Sequence, residues 1–295
     1  MLKKSICCAL LAAAPLFAHA AGTEFSYAVT PVYVPDFNLD SGGKASATWV
    51  LGSVGAKTQL DPQQSLGVTL KAARQNWSFE NPQAWGGVTP WGNLNRFDIS
   101  LPYTYATQSG WLFSVAPNVQ YAGETGADQG ESMSYGATAF AAKFISPGLM
   151  LGLGLGAWTG LEEAQVFPFL IVNWQITDAL RLGNPFVASP AGPAGLELAW
   201  KVAPQVELAA GGTWRSYQTR LATNNKVAAN GVLEDNSIPL FVRGSYTVSK
   251  AVRFDAYVGS AVSGEFIIYN QNGQKISTEK HDAMPFVSLS MSGSF

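Results

Sequence analysis

The chain has 295 residues, of which 13% are charged, 47% are hydrophobic and 30 are glycine. An average soluble domain carries about 25% charged residues, so a disordered, coiled-coil or polybasic nucleic-acid-binding chain is excluded. A spanning helix needs ~18 nearly uninterrupted apolar residues, and the longest such run after the N-terminal segment, Gly148–Trp158, has 11 residues, four of them glycine. What remains is a β-rich protein, either secreted and soluble or a barrel of the bacterial outer membrane.

Met1–Ala20 reads as a secretory signal peptide: Lys3 and Lys4, an apolar core from Ile6 to Phe17, then Ala18-His19-Ala20 as the small-residue cleavage site. Cys7 and Cys8 lie inside that core and act there as small hydrophobes. Cleavage after Ala20 leaves 275 residues without cysteine, which removes disulfides, thiol catalysis and cysteine metal sites. It also leaves sixteen basic against twenty acidic residues, a net charge of −4 that gives no electrostatic case for a nucleic-acid partner.

Along residues 21–295 apolar residues recur with period two, the signature of strands with one oily and one wet face. In Arg96–Thr107, Phe97, Ile99, Leu101, Tyr103 and Tyr105 oppose Asp98, Ser100 and Thr104. In Ile238–Val248, Ile238, Leu240, Val242, Tyr246 and Val248 oppose Arg243, Ser245 and Thr247. The last segment sets Val287, Leu289, Met291 and Phe295 against Ser288, Ser290, Ser292 and Ser294.

Tight turns are expected at Asp61–Gln64, Gln108–Gly110, Ser146–Gly148, Thr177-Asp178, Ala203–Gln205 and Ser249-Lys250. Between them lie polar stretches: Pro35–Gly43, Glu80–Asn95, Gly123–Glu131, Gly160–Ala164, Val187–Pro193, Arg220–Asn236 and Glu265–Asp282. Short turns facing the periplasm and long loops facing outward alternate in this way in outer-membrane barrels. Six turns and seven loops join 14 strands in an up-and-down antiparallel transmembrane barrel. The count falls to about twelve if the weak strands Glu24–Val34 and Leu180–Val187 do not pair. Phe266–Ile276 could instead extend a hairpin above the membrane.

Aromatic residues gather at the strand ends. Tyr105, Trp111, Trp174, Trp200 and Tyr246 lie near the short turns, and Phe97, Tyr121 and Trp214 near the long loops. This is the placement of interfacial girdles. The chain ends at Phe295 and so resembles barrels whose C-terminal aromatic strand is read by the assembly machinery, although Gly293 stands where a bulkier residue is common. The stretch Val166–Thr177 followed by Leu180–Pro185 resembles a family of bacterial outer-membrane barrels of unknown function. That resemblance implies fold and an outer-membrane location and carries no activity.

A barrel of about eight strands is filled by side chains, whereas 16–18 strands leave an aqueous channel. A 14-stranded barrel should hold a modest lumen unless a loop folds into it. Glu80–Asn95, with Trp85 and Trp91, is the candidate: either a loop packed on its own aromatics, or a constriction or carbohydrate-stacking platform. By parity the lumen should be lined by Lys71, Asp98, Glu197, Lys201, Glu207, Arg215, Arg243, Arg253 and Asp255. Arg215, Arg243 and Arg253 fall on three consecutive strands, either as a basic strip favouring anions or as part of an ion-pair network in the wall. Gly152, Gly154 and Gly156 leave inner-face space for a bulky neighbour or a solute.

No catalytic set is expected. His281 is the only histidine after the leader, and His281-Asp282 resembles half of an outer-membrane protease site. Its other half would fall to Glu234-Asp235, and no Gly-x-Ser-x-Gly elbow occurs. A solvated loop histidine is the expectation, and no cofactor or metal is implied. The reading is a passive pore for small polar or anionic solutes. Its rivals are an envelope or adhesin-type barrel that binds through its loops, and a rim hydrolase. The partners expected are outer-membrane lipid, lipopolysaccharide and, through Phe295, the barrel-assembly machinery.

Overall fold

The computed structural model describes residues 22–185, 189–192 and 194–295, so the leader expected over Met1–Ala20 lies outside the described residues. Among the described residues, fourteen strands form one closed antiparallel sheet. They are β1 (Thr23–Asn38), β2 (Lys44–Asp61), β3 (Gln64–Glu80), β4 (Asn93–Ser100 continued by Tyr103–Ala106), β5 (Trp111–Glu124), β6 (Met133–Ser146) and β7 (Leu149–Trp158). The second half is β8 (Gln165–Gln175), β9 (Leu180–Gly183), β10 (Gly195–Ala203), β11 (Val206–Thr213 continued by Arg215–Arg220), β12 (Val232–Ser249), β13 (Val252–Tyr269) and β14 (Lys275–His281 continued by Met284–Ser294). Each strand pairs with the next, and β1 pairs with β14 from Ser26↔Ser294 to Tyr33↔Val287, which removes the exposed edges of an open sheet.

All six expected turns fall between consecutive strands. The outer connections are shorter than their polarity suggests. β1 runs to Asn38, β12 begins at Val232, and Gly264–Tyr269 pairs with Lys275–His281 as a hairpin. Where a hairpin rises beyond the apolar band its outer face meets water instead of lipid, so the outward apolar residues that carry the period-two signal are replaced by polar ones and the segment reads as loop. The weak segment at the N-terminus is a full 16-residue strand, whereas β9 keeps only four residues. Beyond β9, Asn184 substitutes for a strand. Its Oδ1 accepts from the Val172 amide at 2.9 Å, and its Nδ2 donates to the Leu170 and Gly195 carbonyls at 2.9 Å each.

The outer surface is apolar, with Leu153, Val242, Val258 and Leu289 among its exposed residues. In water such a surface would aggregate, but in a bilayer it is solvated, and closure satisfies the backbone internally. The exposed Trp111, Trp174, Trp200 and Tyr246 lie by the short turns and the exposed Phe97 and Trp214 at the other end. The molecule is a transmembrane barrel of the bacterial outer-membrane type. A furrow of about 550 Å³ crosses its outer face over Ala139 and Ala141, between Phe113 and Leu153. It faces lipid and lies apart from the lumen.

Candidate functional site

The lumen is built differently at its two ends. Toward the short turns, inward residues of β9–β13 form a knot of charges. Arg243 on β12 donates from Nη2 to Glu197 and Glu207, at 2.8 Å each, and reaches Asp255 at 3.3 Å. Arg181 pairs with Glu197 at 3.0 Å, and Arg253 pairs with Asp255 at 2.9 Å and Glu207 at 3.4 Å. Ser245 bonds Arg243, Arg253 and Asp255. Three guanidiniums face three carboxylates, so the knot is neutral, and the Arg243 side chain is fully enclosed. This is a wall-satisfying network, with each charge met by hydrogen-bonded partners as burial requires.

Arg215 is not part of that knot. It lies further out on β11, paired with Asp235 of β12 at 3.3 Å. Its guanidinium sits 5.1 Å from the Trp49 ring centroid and 5.9 Å from that of Tyr217. Arg96 of β4 also lies against Tyr217, 4.1 Å from the same centroid, donating to the Gln218 carbonyl at 3.1 Å. Lys71 and Asp98 are cross-strand partners on β3 and β4; Asp98 is buried and accepts from Asn118 at 3.0 Å, while Lys71 remains exposed.

Toward the outer end the inner face is apolar, contrary to a hydrophilic face throughout. Trp49, Trp77, Phe37, Leu233 and Phe266 are buried there. The Glu80–Asn95 connection folds onto them: Trp91, 1% exposed, stacks edge-on with Trp77 at 6.0 Å and Phe266 at 5.0 Å, and Trp85 packs on Phe79 and Trp91. Trp85 and Trp91 thus close the mouth from within and present no stacking platform to solvent. Part of the Val187–Pro193 connection also turns inward. Ser189–Gly192 is buried, and the Ala191 carbonyl accepts from Thr213 Oγ1 at 2.6 Å. Its other residues lie outside those described.

A roof holds this closure. The outer half of β11 crosses to β5, where Arg220 bridges Gly123 in parallel sense. Arg220 also binds Glu162 at 2.9 Å and the carbonyls of Leu161 and Asn230. Glu124, at the end of β5, joins two connections: it accepts from the Gly92 amide at 2.9 Å in one, and from the Ala222 amide at 2.8 Å and Asn225 Nδ2 at 3.0 Å in the other. Sequence reasoning missed Glu124, Arg220 and Arg96. Arg96 and Glu124 both share the inner parity of their strands, Arg96 with Asp98 and Glu124 with Gln120, which could have flagged them, whereas Arg220 falls out of step with the inward Arg215.

His281 is not a solvated loop residue. It is buried between Phe37 and Phe266, with ring centroids 4.8 and 4.9 Å away, and its Nδ1 meets the Asp282 carbonyl at 2.6 Å. The extra hairpin pairing, Gly264↔His281, brings it there. Asp235 is held by Arg215, while its neighbour Glu234 bonds Gln218 and Asn236, so the two carboxylates do not converge. The inner-face gap over Gly154 and Gly156 is filled by the rings of Phe169 and Trp158.

The sequence matches no protein-family model and no curated relative. Among solved structures, an outer membrane channel from Pseudomonas putida F1 is similar in fold, with a TM-score of 0.50 and 10% identity over 94% of this chain and 97% of that one. The Pseudomonas putida toluene transporter TodX aligns at a TM-score of 0.48 and 11% identity over 95% and 91% of the two chains.

Proposed function

We propose that the barrel is an outer-membrane channel for small polar or anionic solutes, closed at rest by its own outer connections. The observation that carries this reading is how the lumen is blocked. The wall is a complete strand cylinder, while the obstruction comes from connecting segments, the Trp85–Trp91 turn and Ser189–Gly192, held by side-chain hydrogen bonds rather than by strand pairing. Such segments can move without opening the sheet. The preference for anions is assigned to Arg96 and Arg215 and not to Arg243 and Arg253, whose charges are neutralised within the knot.

Export through the Met1–Ala20 leader, contact with lipopolysaccharide and recognition of Phe295 by the assembly machinery belong to the same reading. Planar-bilayer recording of the protein purified from outer membranes tests it. Rare, brief openings are expected from the native chain and longer ones from Trp91→Ala. A folded barrel that stays silent even when residues 83–91 are replaced by a short glycine-serine link would overturn the channel and turn attention to a loop-bound partner.

A further inference from the structure

Between the charged knot and the aromatic closure lies a cavity of about 60 Å³. Its apolar side includes Leu51, Leu233 and Phe266; its polar side includes Gln75, Arg96, Tyr217 and Asp235. We infer that this cavity is a binding station for a short hydroxycarboxylate, of which glycolate is the simplest. The inference rests on the channel reading and names the solute class for it.

Three observations converge. First, the carboxylates near Arg96 are engaged elsewhere: Asp235, which lines the cavity, is the salt-bridge partner of Arg215, and the buried Asp98 accepts from Asn118, while Arg96 and Arg215 both lie against Tyr217. Among the described residues Arg96 has no ion-pair partner; its guanidinium donates to the Gln218 carbonyl. A desolvated guanidinium of this kind selects a planar oxyanion, which its fork of donors matches.

Second, among the described residues the buried Oδ1 of Asp235, an acceptor on a residue lining the cavity, lacks a partner, as does the donor Nε of Arg215, with which Asp235 pairs. A simple carboxylate would satisfy the guanidiniums but leave the Asp235 oxygen bare and facing negative charge. A hydroxyl on the adjacent carbon supplies the donor that oxygen requires. Third, the volume has room for about four waters, at ~15 Å³ of water-accessible space each. That admits a carboxylate of two or three carbons, its hydrocarbon against Leu233 and Phe266, and excludes aromatic acids unless the closure moves.

Calorimetric titration of the detergent-purified protein tests this, with glycolate, acetate and the neutral glycolamide as probes. Saturable glycolate binding is expected, weakened by roughly tenfold or more for glycolamide and several-fold for acetate. Arg96→Gln should abolish it while heat-modifiable migration is retained. Ala73→Leu, which fills the cavity without touching a charge, should do the same and serves if Arg96→Gln does not fold. No saturable heat from a folded barrel, binding indifferent to both variants, or equal binding of acetate and glycolate would overturn the assignment. A barrel that conducts but binds no glycolate refutes this inference alone; one that binds glycolate but never conducts refutes the channel.

Discussion

Phe25 and Phe295 exchange both backbone hydrogen bonds, at 2.9 and 3.0 Å, and stack their rings 5.9 Å apart. The last residue of the chain is thereby a structural part of the seam that joins the first strand to the last. Phe295→Ala keeps the backbone pair and removes the stack, worth about 0.5–1.5 kcal/mol beyond its buried area. The expected outcome is a lower temperature for loss of the compact band in heat-modifiable electrophoresis. A chain lacking Phe295 should lose both hydrogen bonds and shift further.

Arg243 is the fully enclosed centre of the charged knot, so removing it leaves three carboxylates, among them Glu197, itself 1% exposed, against the two guanidiniums of Arg181 and Arg253. Arg243→Met is expected to cost about 3–5 kcal/mol, the penalty of an uncompensated buried charge. Arg243→Met combined with Glu197→Met should recover much of that loss. Urea unfolding in lipid vesicles, followed by tryptophan emission, reads both. The double variant should leave ion selectivity nearly unchanged, because the knot carries no net charge.

Glu124 makes three bonds to two outer connections through its two oxygens. Glu124→Ala removes charge-assisted bonds worth about 1.5–3 kcal/mol each at most, yet leaves the strand ladder intact. The expected result is a folded barrel with longer or more frequent openings, and a Trp91 emission more accessible to acrylamide quenching. Unaltered conductance together with unaltered quenching would show that the roof is held elsewhere.

Gly154 faces Phe169 so closely that a Cβ there would overlap the ring. Gly154→Ala is expected to destabilise by about 1–3 kcal/mol through overpacking. Combination with Phe169→Ala should relieve the clash and restore the melting temperature part of the way. Gly86, by contrast, has open space around it, and its left-handed backbone, φ 61°, accounts for the glycine there.

Strand number, the placement of the six tight turns, the apolar outer face and its aromatic ends were legible in the amino-acid order. Each rests on period-two alternation within one strand and on residues a few positions apart, so no distant contact is needed to see it. Residues such as Asp98, Arg243 and Asp255 face inward for the same local reason. What parity cannot carry is which inward residues meet. Arg243 bonds Glu197 across 46 positions, and Arg96 shares Tyr217 with Arg215 across more than 100. Those pairings depend on how closure curves the sheet and brings opposite walls face to face.

Closure likewise decided the fate of Trp91 and His281. Their sequence surroundings are polar and glycine-rich, as for any exposed connection, but the extended outer hairpins raise apolar walls around them. Burial then follows from the lower free energy of aromatic surface removed from water. The local code thus determined a membrane barrel. Only the tertiary structure decided that its mouth is shut by aromatics, that its three arginines divide into a neutral knot and an outlying pair with Asp235, and that Arg96 meets Arg215 across Tyr217.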